Sequence, residues 1–349
     1  MAREQVDAVP PTVRERPTRK RGGGCGLVVL AGLVAAAIGA AALWVFVLRA
    51  PARALRHVPS NATLVARVDL VEIALFGPVR KHLVPLFDAP EAPASGASAT
   101  PSASAGADRV DRIRQETGVD LRRDVREVVI ASVDATSWVA LFGGRIERGR
   151  FVAGMDRVLR DDGAGGWQLE GDRLVGPRGV VIAQADDGTL VLGTDRSLVG
   201  AALPETDDAA HLGLPDGGAV AIVITKPAWS GASTALFALP HGGVLGKVDG
   251  ASGRFALGDA PALTLRLEAA GGDAVALQAD LASMLDEVRA VFTILPDLVG
   301  EKAALRGARL RVDGGAVVVE APWPLEALDR ACDRFAGVVR GALARPSIR

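Results

Sequence analysis

Apolar residues change their spacing along this chain, and each spacing predicts a different kind of element. From Gly22 to Leu48 (GGGCGLVVLAGLVAAAIGAAALWVFVL) they run without a single charge. A spanning helix needs about 20 mostly apolar residues at roughly 1.5 Å each, so residues 22–48 predict one transmembrane helix in the lipid bilayer. Secretory apolar cores are about 7–15 residues long. This longer run, ending in the bulky WVFVL, reads as an uncleaved signal-anchor, although Ala52-Arg53-Ala54 offers a small-residue cleavage site. The preceding residues 1–21 are rich in Pro, Arg and Glu and predict a disordered basic tail. Residues 49–57 read as a linker.

Beyond the linker the spacing shortens to strand and helix periods. Thr63–Leu70 alternates as a strand, and Val71–Phe87 is helical with a break at Gly77-Pro78. Residues 89–107 (APEAPASGASATPSASAGA) form a flexible Ala/Ser/Pro insertion ahead of a helix over 108–117. Val125–Val133 and Ser137–Phe142 pair as a hairpin, and Arg150–Arg160 is an amphipathic helix. Short strands follow at 166–170, 173–175, 180–185 and 190–193, with Asp187-Gly188 as a tight turn. Asp195 then caps a helix through Leu203. After residues 205–217 the order begins again. Strands are expected at 219–225, 253–257, 262–268 and 274–279, with a helix opening at Asp280. A hairpin over 306–321 turns at Asp313-Gly314-Gly315. A last helix over 324–343 carries Leu325, Leu328, Cys332, Phe335 and Val339 as its core stripe.

Both halves thus predict strand, helix, strands, helix, hairpin, helix, an internal duplication in which the strand at Thr63 recurs at Ala219. Hairpins with interspersed helices favour α+β over a doubly wound parallel sheet. The expected organisation is a tail (1–21), a membrane helix (22–48), a linker (49–57), one α+β subdomain (58–204), a second linker (205–217) and a second α+β subdomain (218–345). A single continuous sheet using both halves is the alternative.

Charge orients the chain in the membrane. Arg3, Arg14, Arg16, Arg19, Lys20 and Arg21 precede the helix against Glu4, Asp7 and Glu15, while Arg49, Arg53 and Arg56 follow it. Short basic segments stay cytoplasmic and long domains cross regardless of charge, so the C-terminal region is expected outside the inner membrane. That region is about −4 in net charge, which argues against a nucleic-acid surface. Gly32, Ala35, Ala36, Gly39 and Ala40 set small residues four apart, one route to helix packing and a homodimer. An alanine-rich composition also produces that spacing without any such role. Cys25 and Cys332 lie on opposite sides of the expected boundary, and Cys332 reads as a buried, inert thiol.

Chemistry-bearing motifs are sparse. His57, His82, His211 and His241 have no second histidine at ligand spacing. Glu205, Asp207, Asp208 and His211 form a mixed cluster in a Pro/Ala/Gly loop, where acidic runs are ordinarily solvated, so no metal is assigned. His241–Val248 fails the phosphate-loop pattern at His241 and at Val248, and Gly231–Ala235 lacks the second glycine of a nucleophile elbow. No cofactor and no catalytic constellation is assigned. Asp161-Asp162 and Asp186-Asp187 lie in expected turns, where aspartate bonds locally. Trp138, Trp167, Trp229 and Trp323 read as core or rim residues.

The phrase VPSNATLVARVDL followed by a helix, with GVDLRRDVREVVIAS further on, resembles bacterial envelope proteins that have one N-terminal membrane helix and an extracytoplasmic domain. The likeness covers residues 58–134 and carries no established activity, so no functional residue follows from it. The expected function is a non-enzymatic, membrane-anchored binding or structural protein that engages an envelope partner. An enzyme with a dispersed site and a single-pass sensor are the alternatives.

Overall fold

The computed structural model describes residues 54–88, 104–121, 123–134, 136–206, 212–230 and 242–344. All of them fall within Pro51–Arg349, one compact unit. The apolar run 22–48, with Gly32, Ala35, Ala36, Gly39 and Ala40, lies outside the described residues, as does most of the Ala/Ser/Pro insertion. Among the described residues no helix is long and apolar enough to cross a membrane.

Among the described residues the architecture is α+β, built on one antiparallel sheet of twelve strands. These are β1 (Leu64–Asp69), β2 (Val125–Ser132), β3 (Trp138–Gly144), β4 (Gln168–Glu170), β5 (Arg173–Val175), β6 (Val181–Gln184), β7 (Leu190–Gly193), β8 (Val220–Thr225), β9 (Val248–Ala256), β10 (Ala262–Ala269), β11 (Arg309–Asp313) and β12 (Ala316–Pro322). The helices are α1 (Leu70–Leu75), α2 (Gly77–His82), α3 (Val84–Asp88), α4 (Ser104–Thr117), α5 (Phe151–Asp161), α6 (Arg196–Ala202), α7 (Lys226–Ser230), α8 (Gly242–Leu245), α9 (Ala274–Ile294), α10 (Glu301–Gly307) and α11 (Leu325–Ala344).

The order across the sheet is β11-β12-β10-β9-β8-β1-β2-β3-β7-β6-β5-β4. β1 and β8 meet at the middle, with Ala66 opposite Ile222. Reading outward from that seam, one side runs β1, β2, β3, β7, β6 and the other β8, β9, β10, β12, β11. The strand order therefore repeats, with β4 and β5 added at one edge. The sequence separation does not stay constant. The step from Leu64 to Val220 is longer than the step from Val125 to Val248. The first half places α1 to α4 between its first two strands, which lengthens that one interval.

The register decides which residues share a face. One face of the first half carries Val65, Val129, Ala131, Val139 and Leu141 beneath Ala54, Val58 and the α6 residues Leu198, Val199 and Ala202. The opposite face carries Val128, Phe142 and Leu190 against Val119 and the α5 residues Phe151 and Met155. Pairing leads that second face through Ala66, Ile222 and Gly253 to Leu265 and Leu267, where α9 covers it with Leu277 and Leu281. The first face becomes polar in the second half. There Arg266 bonds Glu268 at 2.8 Å and Asp313 at 2.7 Å, and Arg311 reaches Glu320 at 3.4 Å.

Local chemistry explains most element ends. Asp69 stops β1 and starts α1 by accepting from the Val71 and Glu72 amides at 3.0 and 2.9 Å. Pro78 in the first turn of α2 separates it from α1, the break expected at Gly77-Pro78. Asp195 caps α6 as expected, accepting from Ser197 and Leu198.

Four expectations are corrected. Residues 274–279 are the first turns of α9 rather than a strand, because the Asp273 carboxylate accepts from the Ala276 amide at 3.0 Å and nucleates the helix there. Asp280 consequently lies inside that helix. Arg306 belongs to α10 and not to a strand, and β11 begins at Arg309. In α11 the expected core stripe is only half-buried, and Phe335 is 59% exposed; Ala327 and Ala336 are the buried residues. Within 49–57, Ala54–His57 form a 3-10 turn whose Ala54 and His57 are buried in the fold.

Gly154 permits a close helix contact. A Cβ there would lie 2.4 Å from the Glu116 carbonyl oxygen at the end of α4. Gly154→Ala should therefore cost about 1–3 kcal/mol in chemical denaturation, reversing the gain that alanine brings to an exposed helix position. A neutral or stabilising result would contradict the α4–α5 contact.

Candidate functional site

A polar cluster surrounds the Ala54–His57 turn, which precedes β1. The Ala54 amide donates to Oε1 of buried Glu127 on β2 at 2.9 Å, and Arg67 on β1 stands 3.6 Å from Oε2. His57 is 1% exposed. Its Nδ1 lies 3.0 Å from the carbonyl oxygen of Ala202, the last residue of α6. A carbonyl only accepts, so Nδ1 carries the proton. The other ring nitrogen, Nε2, faces Oδ1 of Asp187 at 3.2 Å in an ion-pair contact.

Asp187 sits in the β6–β7 turn, where Gly188 takes φ 96°. Its carboxylate accepts from the Thr189 amide at 2.8 Å and the Thr189 hydroxyl at 3.1 Å. Burial pushes this carboxyl's pKa up, but the Thr189 donors and His57 together outweigh burial and hold it below the ordinary aspartate value. Glu205 completes the group from the segment after α6. It pairs with Arg56 at 3.3 Å, and the Thr206 hydroxyl bonds the Val58 carbonyl at 3.1 Å, fastening this segment beside the turn. Ligand-capable atoms of His57, Asp187 and Glu205 all lie within 4.8 Å of one another.

The sequence singled out Glu205 with Asp207, Asp208 and His211. Glu205 is the described member of that set, and it is brought to His57 and Asp187 instead. Asp187 does bond locally, as turn aspartates do, but its approach to His57 joins distant parts of the chain and leaves no local signal. The other expected carboxylate pairs have plain structural partners: Arg112 contacts Asp161 at 2.5 Å and Asp162 at 3.2 Å, and Arg148 pairs with Asp186. Lys247, the lysine of the failed phosphate loop, is bonded to Asp280 at 2.5 Å.

Two further surfaces stand out. A cleft of about 300 Å³ lies between the α1–α2 junction and residues 257–259, lined by Glu72, Phe76, Pro78, Leu257 and Leu325. It adjoins the contact of α2 with α11, where Asp329 bonds Lys81 and His82, each at 3.0 Å. Lys81 chiefly, and His82 with it, hold the Asp329 carboxyl below its usual value. Nearby Cys332 is half-buried rather than buried, and desolvation followed by the Asp329 charge raises its thiol pKa.

The second surface is apolar. Val291, Ile294, Leu295, Leu298 and Val299 are exposed at the end of α9, Ile294 by 84%, with Phe335 and Val338 exposed on α11. Arg334 joins the two by donating to the Leu298 carbonyl. Glu301 shapes this tip by accepting from the Leu298 and Val299 amides at 2.8 and 2.7 Å. Desolvation raises its pKa, yet these amides prevail and hold the carboxyl at about 2. A depressed folded pKa adds stability above the unfolded value of about 4.3 that is lost as pH falls toward 2. Amide exchange at Leu298 and Val299 should therefore accelerate between about pH 4 and pH 2, after correction for intrinsic rates. Glu301→Gln should abolish that pH dependence.

Neither a protein family nor a curated protein matches the chain. A solved structure, crystal form I of TP0453, is similar with a TM-score of 0.39 and 12% identity, over 82% of this chain and 98% of that chain. At that score the likeness identifies no function.

Proposed function

We propose that the protein is a membrane-anchored extracytoplasmic binding or structural protein of the bacterial envelope, without catalytic turnover of its own. Residues 22–48 are its single span, and the basic tail of residues 1–21 is cytoplasmic. The observation that carries this reading is a direct succession in the chain. A charge-free run of membrane-spanning length ends at Leu48, and the folded unit takes hold by Ala54, whose amide is bonded to Glu127.

The exposed apolar residues Ile294 and Leu298, with Phe335 next to the Arg334 that bonds Leu298, support a binding role, since exposed apolar surface commonly marks an interaction site. In-cell crosslinking of the full-length protein tests it, because Lys302 places an amine beside that tip, with Nζ 2.9 Å from the Thr293 carbonyl. One reproducible envelope protein, crosslinked through Lys302 and lost in Ile294→Asp, is expected. Crosslinks unaffected by that change would contradict the tip's role, and turnover by the purified protein in a broad hydrolase panel would overturn the non-enzymatic reading.

The repeated strand order also supports descent of the two halves from one duplicated unit meeting at β1 and β8. Halves divided between residues 206 and 212 and co-expressed should then reassemble through that seam. Failure of the pair to associate would count against two self-contained units.

A further inference from the structure

We propose that His57, Asp187 and Glu205 form a binding site for a divalent cation of the Zn²⁺ type. The case begins with the His57 ring. Its Nδ1 proton is committed to the Ala202 carbonyl, so in the neutral ring the free lone pair is on Nε2. That lone pair is buried and sits 3.2 Å from a carboxylate oxygen. Two electron-rich atoms repel at such a distance unless a proton or a metal ion lies between them.

The 3.2 Å contact with Asp187 has the geometry of an ion pair, and the same separation suits a shared metal ion. Two ligand atoms each about 2.0–2.1 Å from a tetrahedral Zn²⁺ stand roughly 3.3 Å apart. The surroundings match as well. Metal-binding histidines characteristically donate their other ring N–H to a carbonyl or carboxylate, and ligating carboxylates are themselves hydrogen-bonded. Ala202 does the first here, and Thr189 does the second for Asp187.

Glu205 supplies the third donor. Its exposed carboxylate pairs with Arg56, and one of its oxygens lies within 4.8 Å of the His57 and Asp187 ligand atoms. An imidazole with two carboxylates suits Zn²⁺ and neighbouring transition metals. Ca²⁺ and Mg²⁺ take oxygen donors almost exclusively. The three ligands come from the turn before β1, the β6–β7 turn and the segment after α6, so a bound ion would clasp the point where the chain enters the sheet.

The test uses untagged full-length protein in detergent, stripped with a chelator and titrated with Zn²⁺ against a chromophoric competitor. One Zn²⁺ per chain is expected, with affinity falling at least tenfold in Glu205→Gln and further in Asp187→Asn. Zn²⁺ should raise the melting temperature of the parent protein and leave that of Asp187→Asn unmoved. Glu205 is exposed, so Glu205→Gln reports on binding even where a change at buried His57 prevents folding. No stoichiometric Zn²⁺ in the parent protein, or parent-like affinity in both variants, would overturn the site and leave His57 an ion-pair partner of Asp187.

Discussion

Leu141→Ala is expected to cost about 3–4 kcal/mol of folding free energy, the largest loss expected from truncating one side chain of this core. Leu141 is fully buried on β3, paired with Val129 on β2 and Val191 on β7, and it packs in the cluster that joins the sheet to α6 and the entry turn. Strands on both sides limit collapse into the vacated space, so a cavity persists and its cost adds to the lost transfer energy. For a unit of this size each kcal/mol shifts the melting temperature by roughly 2 °C, so a fall of about 6–8 °C should appear in thermal unfolding. A loss under about 1 kcal/mol would mean that this face of the sheet is not the core.

Glu127→Ala should cost nearly as much, about 3 kcal/mol, for an electrostatic reason. Glu127 is buried on β2; removing its carboxylate strips the Ala54 amide of its acceptor and leaves Arg67 facing an uncompensated pocket. Arg67 keeps Asp69 at 3.2 Å, which limits the damage. Glu127→Gln separates the two contributions, since an amide oxygen can still accept from Ala54 while the charge is gone. Its loss in urea unfolding should be about half that of the alanine variant. Equal losses would place the whole effect on the charge. Limited proteolysis near residues 54–58 should accelerate in the alanine variant if Glu127 fastens the entry turn.

What can be read from the sequence is local. The α1–α2 break is written in Gly77-Pro78, the α6 cap in Asp195, and the β6–β7 turn in Asp187-Gly188, because each is governed by residues within one turn of it. The start of α9 departs from its strand-like pattern for a physical reason. In AVALQA, Val275 and Leu277 alternate with small residues at period two, the signal of a half-buried strand, while Asp273 caps the segment into a helix. The α11 stripe has helical spacing, but spacing cannot say that the partner is α2 at one end and solvent at the other. His57 lies far from Asp187 and Glu205 along the chain. Only the folding of the sheet brings the three together, so no motif could announce them.

Tethering outside the membrane is the central claim, and site-directed thiol labelling tests it most directly. In full-length protein carrying Cys25→Ser and Cys332→Ser, Asp172→Cys places a single reporter on a well-exposed side chain between β4 and β5. In intact spheroplasts the reporter should react with a membrane-impermeant maleimide, and the protein should stay with the membranes through an alkaline carbonate wash. Labelling only after lysis, or release by carbonate, would contradict the account.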